Sequence, residues 1–216
     1  MDNIDILPES ILDYAENHSE EESELLKKLH RETYAKILMP KMISGHLQGR
    51  ILSMFSKMIR PKHILEIGTF TGYSAICLSE GLVPDGKLIT IEINEELEPV
   101  FTKYFKEAGI ADQIKYYIGN ALDILPELNI NFDLVYLDAD KTNYSSYFDL
   151  IFNKLNPGGV IIADNVLWYG KVATQAAKND KDTQCIQEFN RKVHNDSRVE
   201  NILLPIRDGL MVLRKK

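Results

Sequence analysis

The sequence predicts an α/β fold built on a mostly parallel sheet of seven strands, with helices on both faces and a reversed last strand. Three observations predict it. Five short apolar runs, His63–Ile67, Lys87–Ile93, Ile114–Ile118, Phe132–Leu137 and Gly159–Ala163, alternate with helical stretches. Near-continuous apolar strands separated by helices indicate parallel strands covered on both faces. Two further strand-like runs, Val199–Leu204 and Leu210–Arg214, are joined only by Pro205 to Gly209. So short a link holds no crossover and implies an antiparallel hairpin. Finally, residues 1–60 read as helical throughout. Periodicity leaves the strand order open.

Each element follows from local pattern. Pro8 suits the start of one short helix. From Glu20 to about Ile37, Leu25, Leu26, Leu29 and Tyr34 recur near a 3.6-residue period. From about Leu47 to Ile59, the residues Ile51, Leu52, Phe55 and Ile59 share one helical face. The length, 216 residues, suits one α/β domain, with a helical cap over 1–60 and the sheet-bearing core over 61–216.

Composition bounds the function. With 44% hydrophobic and 26% charged residues the chain is globular rather than disordered. A formal charge of -7 and a pI near 5.3 argue against binding driven by a nucleic-acid backbone. Cys77 and Cys185 stand far apart and form neither a disulfide framework nor a zinc spacing. No apolar run approaches the ~20 residues that span a bilayer. The acidic start, Met1-Asp2-Asn3-Ile4-Asp5, lacks the basic and apolar regions of a secretory leader. A cytoplasmic location away from membranes is the expectation.

Ile64-Leu65-Glu66-Ile67-Gly68-Thr69-Phe70-Thr71-Gly72-Tyr73-Ser74 reads as a strand, a glycine loop and a helix. The Gly-x-x-x-Gly spacing differs from the dinucleotide fingerprint, and no Gly-Lys-Ser/Thr phosphate loop follows. Glu66 places a carboxylate where a pyrophosphate would be repelled and a cationic sulfonium bearing an amine attracted. Glu92, at the end of the second strand, stands where an acid commonly holds ribose hydroxyls. These features favour S-adenosylmethionine over NAD. The blander alternative makes the glycines ordinary turn residues and the two acids solvated. Gly119-Asn120-Ala121 ends the third strand with a small residue against which an adenine ring can lie.

Two later strands end in acids, Asp138-Ala139-Asp140-Lys141 and Asp164-Asn165. Ligands of open α/β sheets gather beyond the carboxyl ends of strands, so Asp138, Asp164 and Asn165 are expected to converge there. Two carboxylates and an amide oxygen form a hard donor set suited to Mg²⁺ or Ca²⁺, without the His or Cys that zinc favours. Taken singly, Asp140 or Asp164 reads rather as a helix cap, and Lys141 alone reads as a solvated charge.

Together these stretches resemble the cation-dependent O-methyltransferases that include the caffeoyl-CoA and catechol enzymes. The resemblance rests on Leu65 to Ser74, on Leu137-Asp138-Ala139-Asp140-Lys141 and on Ala163-Asp164-Asn165-Val166-Leu167-Trp168, in that order. Met42-Ile43-Ser44-Gly45 with Gly49 adds to it. It covers roughly residues 30 to 216 and implies a Rossmann-like class I methyltransferase fold. It further implies that Asp138, Asp164 and Asn165 ligate a divalent cation, Mg²⁺ or else Ca²⁺ or Mn²⁺. Cofactor contacts are implied for Glu66, Gly68, Thr69, Tyr73, Ser74, Glu92, Ala121, Asp138 and Asp140, with Met42 and Ser44 closing over the methionine part. Lys141 falls where the catechol enzymes carry their catalytic lysine, beside Asp138. Trp168 and Tyr169 either wall an aromatic acceptor with vicinal hydroxyls or fill core and surface positions. Plant caffeoyl-CoA enzymes generally carry asparagine where Tyr169 stands, a departure at a substrate-contacting position. The Lys171 to Thr183 stretch is either a lid or an exposed loop running into a helix. A homodimer is implied by the family alone.

Two other functions compete. Some bacterial relatives methylate hydroxylated uridine in transfer RNA, and Lys27, Lys28, Arg31, Lys36 and Lys41 offer a basic patch, interspersed with Glu20, Glu21, Glu22 and Glu24. A cofactor-binding protein without catalysis is the other, against which the complete metal trio and Lys141 speak. His46 and His194 lie outside both motifs and receive no role.

Overall fold

The computed structural model describes residues 7–216; the acidic start over residues 1–5 lies outside them. Three helices precede the sheet: α1 (Glu9–Asn17), α2 (Glu24–Lys36) and α3 (Gly45–Ile59). α1 follows Pro8, whose fixed φ suits a helix start. α2 begins at Glu24 rather than at Glu20, because Ser23 Oγ accepts the Leu26 N–H at 3.3 Å and caps the helix there. It buries Leu26 and Leu29 but leaves Tyr34 exposed.

Seven strands follow: β1 (His63–Ile67), β2 (Lys87–Glu92), β3 (Ile114–Ile118), β4 (Phe132–Leu137), β5 (Leu155–Ala163), β6 (Val199–Leu204) and β7 (Leu210–Lys215). Helices α4 (Tyr73–Ser79), α5 (Glu98–Glu107), α6 (Ala121–Glu127), α7 (Tyr144–Phe152) and α8 (Lys181–His194) lie between them. The order is β3-β2-β1-β4-β5-β7-β6, with β1 to β5 parallel and β7 antiparallel to both its neighbours. β2 stops at Glu92, since Ile93 turns out to solvent at 74% exposure. β5 begins at Leu155, earlier than Gly159. Leu155 pairs with Phe132, and a register shift between Phe132 and Leu134 absorbs the Asn-Pro-Gly-Gly stretch that reads locally as a turn.

Side chains alternate across a strand, so each strand feeds two cores. Ile64, Leu134 and Tyr136 pack with Leu26, Leu52 and Phe101 under the first helices. Leu65, Val135 and Leu137 pack with Phe148, Ile186 and Phe189 on the other face. The chain leaves β1 outward to β3 and returns to β4 on β1's other side, creating a switch point between β1 and β4. A crevice at the carboxyl ends of strands belongs at such a point. Among the described residues no helix is long and apolar enough to cross a membrane.

Candidate active site

The loop after β1 is shaped by one glycine. Gly68 has φ +100°, and a Cβ there would overlap the carbonyl oxygen of Asp138 and lie 2.9 Å from its carbonyl carbon. The β1 loop therefore rests directly on the β4 loop, which only a residue without a side chain permits. Glu66 is fully buried beneath it, its two oxygens accepting from Ser74 Oγ and Thr90 Oγ1 at 2.6 Å each. Burial pushes this carboxyl up to about 8, against the pull of those two hydroxyls. Thr69 is also buried, its hydroxyl bonded to Thr90. Glu92 accepts from Phe70 N–H at 2.7 Å and Asn94 N–H at 2.9 Å, so it braces the loop's outer edge. Both acids are buried, which removes the solvated alternative. Tyr73 sends its ring away from the loop, and its hydroxyl donates to Glu22 at 2.6 Å. Ala121 is buried just after Asn120, whose side chain caps α6 on Leu122 N–H at 3.0 Å. Ser44 is buried at the start of α3, whereas Met42 stands exposed before it.

The acids of the other half converge through sheet register. Leu137 pairs with Ala163 across β4 and β5, so the next residues, Asp138 and Asp164, stand side by side. Their N–H groups extend the ladder, donating to Ile67 O and Leu137 O at 2.9 Å. Asp164 is buried; Oδ2 accepts from Tyr136 Oη at 2.7 Å and from Gln48 Nε2, and Oδ1 accepts from Asn165 N–H at 2.7 Å. Burial raises Asp138, opposed by Lys141 and reinforced by Asp164. Lys141 is 9% exposed and donates to Asp138 Oδ1 at 3.0 Å and Tyr144 Oη at 2.7 Å. Burial works against its ammonium, but Tyr144, Asp138 and Asp164 outweigh burial and hold it above the ordinary lysine range. Asp140 faces outward and accepts from Tyr147 Oη and Asn143 Nδ2, both at 2.6 Å.

Beyond Asp164 the backbone is strained. Asn165, Trp168 and Tyr169 have φ of 56°, 47° and 56°, each costing about 1–3 kcal/mol and maintained only by surrounding contacts. The Trp168 and Tyr169 rings lie 5.4 Å apart, with Tyr169 49% exposed. The stretch after them is tied to α8. Gln187 Nε2 donates to Val172 O at 3.0 Å and Thr174 O at 2.7 Å, and Lys171 pairs with Asp180 at 3.3 Å. The expected loop thus runs into its helix under side-chain ties.

Residues 16–216 match the family model described as O-methyltransferase. The chain belongs to that family. It is 35% identical over 204 residues to caffeoyl-CoA O-methyltransferase 1 of Eucalyptus globulus, covering 90% of this chain and 82% of that protein. Among solved structures it resembles the O-methyltransferase TomG of Streptomyces achromogenes, involved in tomaymycin synthesis and solved in complex with SAM. The TM-score is 0.87 at 30% identity, with 96% of each chain covered. It also resembles the Bacillus cereus O-methyltransferase in complex with SAH, at TM-score 0.88 and 29% identity over 96% of this chain and 97% of that one. The seven-stranded sheet with its antiparallel β7 is accordingly a class I methyltransferase sheet.

This O-methyltransferase brings four further residues to the site that motif reading missed. Gln48 and Tyr136 hold Asp164, Tyr144 holds Lys141, and Asp208 in the β6–β7 turn accepts from Tyr169 N–H. Burial pushes Asp208 up to about 6. Gln48 sits inside a helix, where it reads as one more solvated polar residue, and Tyr136 inside a strand, where it reads as core.

Proposed function

We propose that this methyltransferase moves a methyl group from S-adenosylmethionine to a hydroxyl of a small aromatic molecule with vicinal hydroxyls, with help from a divalent cation, Mg²⁺ foremost. The observation that carries the reading is the register that sets Asp138 beside Asp164, with Asn165 next in sequence and buried Lys141 on Asp138. The donor chemistry fits a hard cation: two adjacent carboxylates repel unless a positive charge lies between them, and an amide oxygen completes an all-oxygen set. Among the described residues no group of three or more His, Cys, Asp or Glu side chains clusters; in this reading the Asn165 amide would supply the third protein donor. Glu66, Gly68, Thr69, Ser74, Glu92, Ala121, Asp138 and Asp140 would hold the cofactor, with Met42 and Ser44 above it and Tyr73 contributing only its backbone.

Bound S-adenosylmethionine supplies a methyl group on a good leaving group, and a bound cation favours an ionised oxygen over a phenol whose ordinary pKa is ~10. The chain's own residues do the rest. Trp168 and Tyr169 flank an aromatic ring and orient it. Compensating the charge of Asp138 and Asp164 would remove two of the three influences that hold Lys141 protonated and leave Tyr144 against burial, which lowers its pKa. Nζ then accepts the hydroxyl proton, with Tyr144 keeping it aimed. The basic residues of α2 favour this small-molecule reading over transfer RNA. Lys27, Lys28 and Lys36 are already paired with Glu21 and Glu24, Glu107, and Glu32.

Methyl transfer from labelled S-adenosylmethionine to caffeic acid and catechol, with Mg²⁺ or excess chelator, tests the reading, with Asp164→Ala alongside. Turnover is expected only with both vicinal hydroxyls and Mg²⁺, and falls at least 100-fold in the variant. Activity that survives chelator and variant would refute the cation's role. Cofactor binding without turnover on either acceptor would shift the acceptor to transfer RNA.

A further inference from the structure

The turn joining β6 to β7 is far in sequence from every motif above, yet it spans both walls of the site. On one side Arg207, itself at φ 48°, donates from Nη1 to Ile43 O at 3.3 Å, beside the Met42–Ser44 segment. On the other side Asp208 O accepts from Leu167 N–H at 2.9 Å, and Gly209 O accepts from Val166 N–H at 3.2 Å. The Asp208 carboxylate reaches further, with Oδ1 accepting from Tyr169 N–H.

These contacts fall on the strained stretch. Asn165 and Tyr169 hold left-handed backbone conformations that non-glycine residues keep only when their surroundings impose them. We propose that Asp208 is a positioning residue: by holding Tyr169, at the end of the stretch that its turn also grips through Val166 and Leu167, it keeps the Asn165–Tyr169 segment in the shape that presents Asn165 to the cation and the Trp168–Tyr169 wall to the acceptor. This rests on the function proposed above. Asp208 acts here through hydrogen bonds rather than as a ligand.

Trp168 is the chain's single tryptophan and reports on this loop alone. The test compares wild type, Asp208→Ala, Asp208→Asn and Asp208→Glu by Mg²⁺ titration calorimetry and by iodide quenching of Trp168 without cation. Asp208→Ala is expected to raise the Mg²⁺ Kd about tenfold or more, to increase quenching of Trp168, and to raise acceptor KM more than it lowers kcat. Asp208→Asn keeps an oxygen for Tyr169 N–H and is expected to recover most of both losses. Asp208→Glu keeps the charge but misplaces it and is expected to resemble Ala; it carries the test if Ala proves too unstable to purify. A role in stability alone would lower Tm while leaving Kd and quenching at wild-type values, and would overturn the proposal. So would an Asn variant as weak for Mg²⁺ as Ala, which would make Asp208 a ligand. A wild type that binds no Mg²⁺ would count against the proposed function, and the Trp168 comparison would still decide whether Asp208 positions the loop.

Discussion

Replacing Gly68 by alanine separates the two reasons for a glycine in the cofactor loop. The first is conformational: φ is +100°, and a left-handed backbone costs an L-residue roughly 1–2 kcal/mol. The second is steric. The new Cβ would overlap Asp138 O and sit 2.9 Å from its carbonyl carbon. Both atoms are backbone, held by the ladder bond from Asp138 N–H to Ile67 O at 2.9 Å, so relief requires a backbone shift worth about 1–3 kcal/mol. The total, about 2–5 kcal/mol, is a large share of an ordinary domain's stability of about 5–15 kcal/mol. For a chain of this size it lowers Tm by about 4–20 °C, at roughly 2–4 °C per kcal/mol. Gly170→Ala is the control, since Gly170 has φ +75° and no atom within 4 Å of the built Cβ. It suffers only the first cost, about 2–8 °C. Thermal melts followed by circular dichroism measure both, and calorimetry with S-adenosylmethionine shows whether Gly68→Ala also weakens cofactor binding. A Gly68→Ala protein that melts no lower than Gly170→Ala would refute the packing of the two loops.

Two other outcomes follow from the buried acids and their partners. Glu66 has a folded-state pKa raised from 4.5 to about 8; the folded state then binds the extra proton, so this group's contribution to stability falls as pH rises between those values. In cofactor-free protein, Glu66→Gln should therefore gain in Tm relative to wild type from pH 5 to pH 8, and a constant gap across that range would contradict the assignment. Tyr136→Phe removes the hydroxyl that donates to Asp164 Oδ2 at 2.7 Å; Mg²⁺ affinity by calorimetry should drop about tenfold or more, and unchanged affinity would show that Tyr136 serves only the core.

Much of the site is legible in the chain because its parts are contiguous and sit at strand ends. Glu66 and Gly68 end β1 within three residues of one another, and Asp138 and Lys141 follow β4 together. Apolar runs locate the strands, and a residue just past a strand's carboxyl end has few places to go. Other partners are beyond local reading. Gln48 meets Asp164 across 116 positions, and Asp208 meets Tyr169 across 39. Nothing around Gln48 distinguishes it from a solvated polar residue on a helix, and Tyr136 reads as one more apolar strand position. The N-cap at Ser23 moved a helix start because a single hydroxyl competes with periodicity.

The α/β class, the seven strand segments, the final antiparallel hairpin and the chemical character of the two loop ends are legible in the chain alone, since these depend on periodicity and on residues adjacent in the chain. That β7 inserts between β5 and β6, that Asp138 and Asp164 share a register, and that Lys141 is held protonated by its neighbours emerge with the folded chain. Each of those depends on pairing between distant segments, and on the burial that pairing creates, which local pattern does not encode.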